Sequence, residues 1–289
     1  MQKVELPFVN PFDQNYDNGE PQPVVAKTPA CAELFLNMYD LPKGTNRNNF
    51  IINIGGQVMI QNCSGLTFVG AGSYNWYIPN VNPYNQTITF WSSVTSSFWT
   101  VNVPEGQYST SALAIAAVIT ALNTLTGSSG LTFSASTVIA TNPDAYTLSA
   151  SGGSYYFKND CTAITQGDTM FNFPTDQTPT SSKVVGPMTL KYTVFVDICS
   201  TTLTKYSKVR TIATNARGNI FERAYIPGLD WGNTFYVPKN TEIVRYAFRP
   251  QETVNSVDIQ LYDSHGNPLY IPPSQADKFV LAITVRMEL

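Results

Sequence analysis

Few residues in this chain are placed for chemistry. The single histidine, His265, falls in the turn Asp263-Ser264-His265-Gly266-Asn267-Pro268, with no second His or Cys near it in sequence. A hydrolytic triad built on it would need a distant Ser and Asp, and no GxSxG stretch offers a nucleophile elbow. Metal chemistry fares no better, because the sequence has no HxxxH, no closely spaced Cys pair and no EF-hand loop. Asp258, Asp263 and Asp277 lie near turns and could bind a cation, although solvated turn carboxylates are far commoner. Gly70-Ala71-Gly72-Ser73 follows a strand, as a phosphate loop does. Neither a Lys-Ser/Thr pair nor a helix comes next, so it reads as a plain loop. Tyr74, Trp76, Tyr77 and Trp91 could stack on sugar rings, but at alternate strand positions they read as core. The expectation is therefore a chain that is not an enzyme, with no catalytic, cofactor-binding or metal site.

Bulk composition narrows the class further. The chain has 289 residues, enough for one large β domain or two smaller ones. Charged residues make up 13%, about half the usual share, while Tyr and Phe number 16 each and Trp 4. Such a surface suits either contact with other subunits or a secreted β protein. A net charge of −3 without any basic cluster argues against coating nucleic acid. The opening MQKVELPFVNPF lacks the apolar stretch of a signal peptide, and no run of about 18 apolar residues predicts a membrane span. Cys31, Cys63, Cys161 and Cys199 are widely separated. They could form two disulfides, but without an export signal they read as buried thiols. Two N-glycosylation sequons, at Asn62 and Asn85, mean nothing without secretion.

The elements are organised around Phe98–Leu125. Trp99, Val101 and Val103 alternate with Thr100 and Asn102 as a strand, and Pro104-Glu105-Gly106 breaks it. Ser109 or Ser111 then caps the one convincing helix. Its apolar stripe is Ile115, Val118, Ile119, Leu122 and Leu125, with Gly127 as its C-cap. Residues 1–48, dense in Pro, Asn and Asp, read as an extended arm with Phe8, Phe12, Tyr16, Phe35 and Tyr39 as anchors on a neighbour. Strand alternation fills 49–97 (Phe50–Ile54, Gln57–Gln61, Leu66–Val69, Thr87–Trp91) and resumes over 184–289. There Leu190, Tyr192, Val194, Val196 and Ile198 share one face, Val257, Ile259 and Leu261 another, and Phe279 to Met287 a third. Eight or so strands around an insertion predict an all-β chain: a single jelly-roll β-sandwich of residues 49–97 and 184–289. Residues 98–183 form an inserted α+β lobe and linker carrying a single helix.

In this order, VNVPEGQYSTSALAIAAVITALN, the element ending in MFNFP, LKYTVFVDICSTTLTKYSKV and VDIQLYDSHGNPL resemble a set of viral proteins. They are the penton and minor capsid proteins of virophages, polinton-like viruses and related double-stranded DNA viruses of the adenovirus-like lineage. The likeness spans roughly 50–289. It rests on Pro104, Gly106, Tyr108, Ser109 and Asn123 around the helix, on Asp197-Ile198, and on Ile259, Leu261, Asp263, Gly266 and Asn267 near the end. MFNFP departs from the Leu-Gly-Phe that such proteins more often carry. The resemblance implies a structural capsid protein: a homopentameric penton closing the fivefold vertices of an icosahedral virion, assembled inside the host cell. Its partners would be neighbouring major capsid proteins, with no direct nucleic-acid contact. A minor or cement capsid protein, or a jelly-roll module binding a receptor or glycan, is the alternative.

Overall fold

The computed structural model describes residues 31–38, 41–54, 60–74, 79–137, 145–158, 171–205, 219–225, 235–237, 245–276 and 280–288. Two bodies of β-structure emerge, each with its own apolar core.

The first is a sandwich of two antiparallel sheets. One sheet runs β1 (Cys31–Asn37), β15 (Val280–Glu288), β3 (Ile60–Tyr74). On the far edge of β3 lie β12 (Phe235–Val237) and β13 (Arg245–Val254), which together act as one interrupted strand. The other runs β11 (Ile220–Tyr225), β10 (Phe195–Cys199), β14 (Ser256–Tyr262), β2 (Asn49–Asn53). Counted along the chain, the sandwich strands fall in the orders 1-8-3-6 and 5-4-7-2. That is a jelly roll: each sheet mixes early and late strands, so the chain folds back on itself and keeps few edges. The side-chain period of two makes it work. In β14, Val257, Ile259 and Leu261 are buried while Ser256, Asp258, Gln260 and Tyr262 are half-buried. Leu36, Phe50, Leu66, Val196, Phe221, Ile283 and Val285 join them in a core fed by both sheets.

The second body lies in the connection between β3 and β10. β4 (Thr87–Ser92) pairs with β5 (Ser97–Asn102) on one side and β8 (Tyr155–Phe157) on the other. β6 (Thr132–Thr137), β7 (Tyr146–Ser151) and β9 (Ser182–Val185) make a second three-stranded sheet. Helix α1 (Ser111–Asn123) packs on both sheets through Ala114, Ile115, Val118, Ala121 and Leu122. Its cap is Thr110, whose hydroxyl accepts from the Leu113 N–H at 3.2 Å, rather than Ser109 or Ser111. Ser111 is one residue inside the helix and Ser109 one residue too early. Nor does Gly127 end the helix. It lies in a further one-turn helix, α2 (Thr126–Ser129), so the lobe holds more than a single helix. Gly130 takes the left-handed conformation there (φ 71°), and a Cβ on it would meet Val94 Cγ1 at 2.5 Å.

Three sequence-based boundaries shift. β4 was expected in the sandwich, yet its partners are lobe strands, because alternation reports a half-buried strand and not which sheet holds it. β1 was expected within the arm, yet all seven of its residues pair with β15. Phe35 there is 69% exposed while Leu36 is buried, so the aromatic faces out and the leucine in. Phe8, Phe12, Tyr16 and Tyr39 lie outside the described residues. β10 begins only at Phe195, and Val194 is exposed rather than sharing a buried face with Val196.

Candidate functional site: the neck between sandwich and lobe

Four of the residues singled out above, His265, Asp263, Asn267 and Tyr108, converge on the junction of the two bodies. His265, Asp263 and Asn267 sit in the loop after β14. Asp263 is buried, and its Oδ1 accepts the backbone N–H groups of His265 (2.9 Å) and Asn267 (2.8 Å). Burial pushes the Asp263 carboxyl up, and the donors from Asn267 and His265 pull against that rise. Gly266, at φ 89°, lets the loop turn back so that its N–H reaches the Asp263 carbonyl. The His265 ring stacks on Tyr192 (centroids 4.1 Å apart), and Nε2 lies 2.9 Å from the Tyr192 carbonyl. His265 thus grips the segment by which the chain returns from the lobe.

On the lobe side the grip comes from asparagines. The buried Asn80 side chain donates to the carbonyls of Tyr108 and Leu190, both at 2.9 Å, and accepts from the Tyr108 N–H at 3.0 Å. One side chain therefore ties together the lobe's entry, the turn before α1 and the lobe's exit. Asn85 donates to the Asn80 carbonyl, and Asn82 and Asn85 brace the turn between them. Gly106 and Val81 exchange two backbone bonds of 3.1 Å. Across the junction, the Tyr84 hydroxyl donates to the Pro268 carbonyl at 3.0 Å, and Tyr270 donates to Glu105. Burial and that carboxylate hold the Tyr270 hydroxyl up to about 12. Two buried polar atoms at this junction, Gln107 Nε2 and Thr193 Oγ1, have no partner, an uncommon cost in a folded protein.

Two further carboxylates, Asp258 and Asp197, are taken up in bonds within the sandwich. Burial works to raise the Asp258 carboxyl, but donors from Thr201 and Thr202 outweigh it and bring it down to about 2. Asp197 forms a two-pronged ion pair with Arg223 (2.7 and 3.1 Å), whose guanidinium lies 3.8 Å over the Phe195 ring. Asn123 closes two bonds on the backbone of Phe133, fixing the end of α1 to β6. Gly70–Ser73 lies within β3, each residue paired to β15, and forms no phosphate loop. Cys63 is a buried thiol whose pKa burial raises, which makes it inert. Among the described residues no cluster of three His, Cys, Asp or Glu could hold a metal, and no helix is long and apolar enough to cross a membrane. Asp277, Trp76, Tyr77 and Cys161 lie outside the described residues, as does the side chain of Tyr74.

Sequence reasoning missed Asn80 and Asn82, and met Asn85 only as a glycosylation sequon. Their only signal is the run Pro79-Asn80-Val81-Asn82-Pro83-Tyr84-Asn85, which reads as an ordinary exposed turn.

Fold and neck together define the class: a single jelly roll carrying an α+β lobe in the connection between its third and fourth strands. No protein-family model matches the chain, and no curated protein does. Two solved structures are similar to it in fold. The mavirus penton protein aligns over 90% of this chain and 99% of its own, at 13% identity and a TM-score of 0.45. A Sputnik virophage chain aligns over 90% of this chain and 98% of its own, at 10% identity and a TM-score of 0.39. The jelly-roll assignment rests on the strand order alone.

Proposed function

We propose that this chain is a structural capsid protein, and in particular a pentameric penton closing fivefold vertices of an icosahedral double-stranded DNA virus. The observation that carries the proposal is the sandwich strand order together with the place of the lobe. The motif residues that resemble penton and minor capsid proteins hold this arrangement rather than any chemistry. Pro104 to Ser109 lead into the helix, Asn123 locks it, and Asp263, Gly266 and Asn267 build the loop that clasps the lobe. The sandwich supplies surface for assembly. Phe35 on β1, Ile51 on β2 and Tyr225 on β11, exposed by 59–69%, all lie on edge strands. Edge strands with exposed large apolar groups invite pairing, and one heterologous contact repeated around an axis closes a ring. The chain then acts mechanically, without catalysis. It belongs in the virion, assembled inside the host cell, and touches neighbouring major capsid proteins. Light scattering on the purified protein tests this: five copies of the 31.8 kDa chain are expected. A stable monomer at all concentrations, absent from particles, overturns it.

A further inference from the structure

The outer face of the lobe's β5-β4-β8 sheet carries a second feature that the capsid proposal does not use. Register places Phe98, Trp91 and Tyr156 side by side on three adjacent strands. Trp91 and Tyr156 stack with centroids 5.4 Å apart, and Phe98 meets Tyr156 edge-on at 5.9 Å. The opposite face is the buried one, with Ile88, Phe90 and Phe157 in the lobe core. The aromatic row is thus outward, and Phe98 is 49% exposed. The rest of the face is hydroxyl and amide: Thr89 and Thr100 bond to each other at 3.0 Å, and Thr87 donates to Asn102 at 3.0 Å. Trp91 and Tyr156 are half-buried; cross-strand pairing alone would be served by the same threonines without leaving the Phe98 ring in water beside them.

We propose that this row is a carbohydrate-binding platform, on which the C–H faces of sugar rings lie against Trp91 and Tyr156 while their hydroxyls bond the Thr and Asn edge. Two observations favour a saccharide over a second copy of the chain or another protein. The row is small: a fully enclosed aromatic ring covers about 150–250 Å². With Phe98 half exposed and Trp91 and Tyr156 half-buried, the three rings offer roughly 200–300 Å², about a third of the ~800 Å² that each partner gives to a stable protein interface. The charge is also right, because residues 87–102 and 154–158 contain no Asp or Glu. Nothing there draws a cationic peptide, and nothing repels an acidic sugar. Lys158, whose ammonium lies 5.9 Å from the Phe98 ring centre, ends the row with a positive group.

The test is binding of the purified full-length protein to an array of several hundred immobilised animal, algal, plant and bacterial oligosaccharides, neutral and acidic. Native protein is expected to select at least one structural class, with Trp91→Ala weakening that binding at least about tenfold. Trp91→Phe should retain part of it. Phe98→Ala, which removes an exposed ring and leaves the core intact, provides a second variant should Trp91→Ala lower the melting temperature. Absence of binding across the array overturns the proposal, as does binding that survives both alanine variants. An oligomer that dissociates on Trp91→Ala also overturns it, by assigning the row to contact between copies.

Discussion

The sandwich and the lobe are built on different principles. The sandwich core is largely aliphatic, and its strands pair across great sequence distances, as when β1 meets β15. The lobe core has a chain of touching rings running through its aliphatic residues: Phe90, Phe133, Tyr155, Phe157, Phe173 and Phe171, in edge-on or tilted contacts of 4.4–5.6 Å. Two of its four pairings are local, β4 with β5 and β6 with β7, with a helix between them, while β4–β8 and β7–β9 close the lobe over longer distances. Local contacts close cheaply, whereas most sandwich pairings, β10 with β11 apart, must bring distant parts of the chain together first. The two cores share no residue. Polar bonds at the neck join them, so cooperativity between the bodies depends on a few side chains.

The largest effect should come from the ring chain. Phe157→Ala, at a fully buried position, is expected to cost the lobe about 3–5 kcal/mol while leaving the sandwich folded. A thermal melt followed separately by lobe and sandwich probes checks this, and should show the lobe melting first. Leu122→Ala on α1 should act in the same direction, by about 2–5 kcal/mol.

Next comes the neck. Asn80→Ala removes three part-buried hydrogen bonds, two to the carbonyls of Tyr108 and Leu190 and one from the Tyr108 N–H, each worth about 0.5–1.5 kcal/mol. The expected signature is a wider gap between the two melting transitions, which distinguishes a lost coupling from a general weakening.

Asp258 gives a smaller effect, confined to the sandwich. Its folded-state carboxyl is lowered to about 2, so its contribution is fully present above the ordinary carboxylate value near 4 and fades as pH falls through 2. Because the group is partly exposed, about 1 kcal/mol is expected. Sandwich stability measured between pH 5 and 2 should drop less in Asp258→Asn than in the native chain. The smallest effect is that of Tyr270→Phe, which removes one solvent-exposed bond across the neck and should cost no more than about 0.5 kcal/mol, read in the same two-probe melt.

What the sequence discloses follows the same division. Val257, Ile259 and Leu261, and Leu281, Ile283, Val285 and Met287, announce their buried faces by alternation, and α1 announces itself by its apolar stripe. Sheet membership is not local information. β4 alternates as well as any sandwich strand, and only its partners place it in the lobe. β1 hides among Pro and Asn residues, with an exposed Phe35 beside a buried Leu36. The neck asparagines look like solvated turn residues until their partners at 108 and 190 are known. Trp91 stands out in the sequence, but Phe98 and Tyr156 join it only through register.

Native-state hydrogen exchange on the assembled protein tests most directly whether sandwich and lobe are separate cooperative units. Slow amides in β4, β7 and α1 should open together at one free energy, and those in β3, β14 and β15 at another, with Asn80→Ala moving the first group away from the second. A single opening energy shared by both groups, unchanged by Asn80→Ala, would contradict the account.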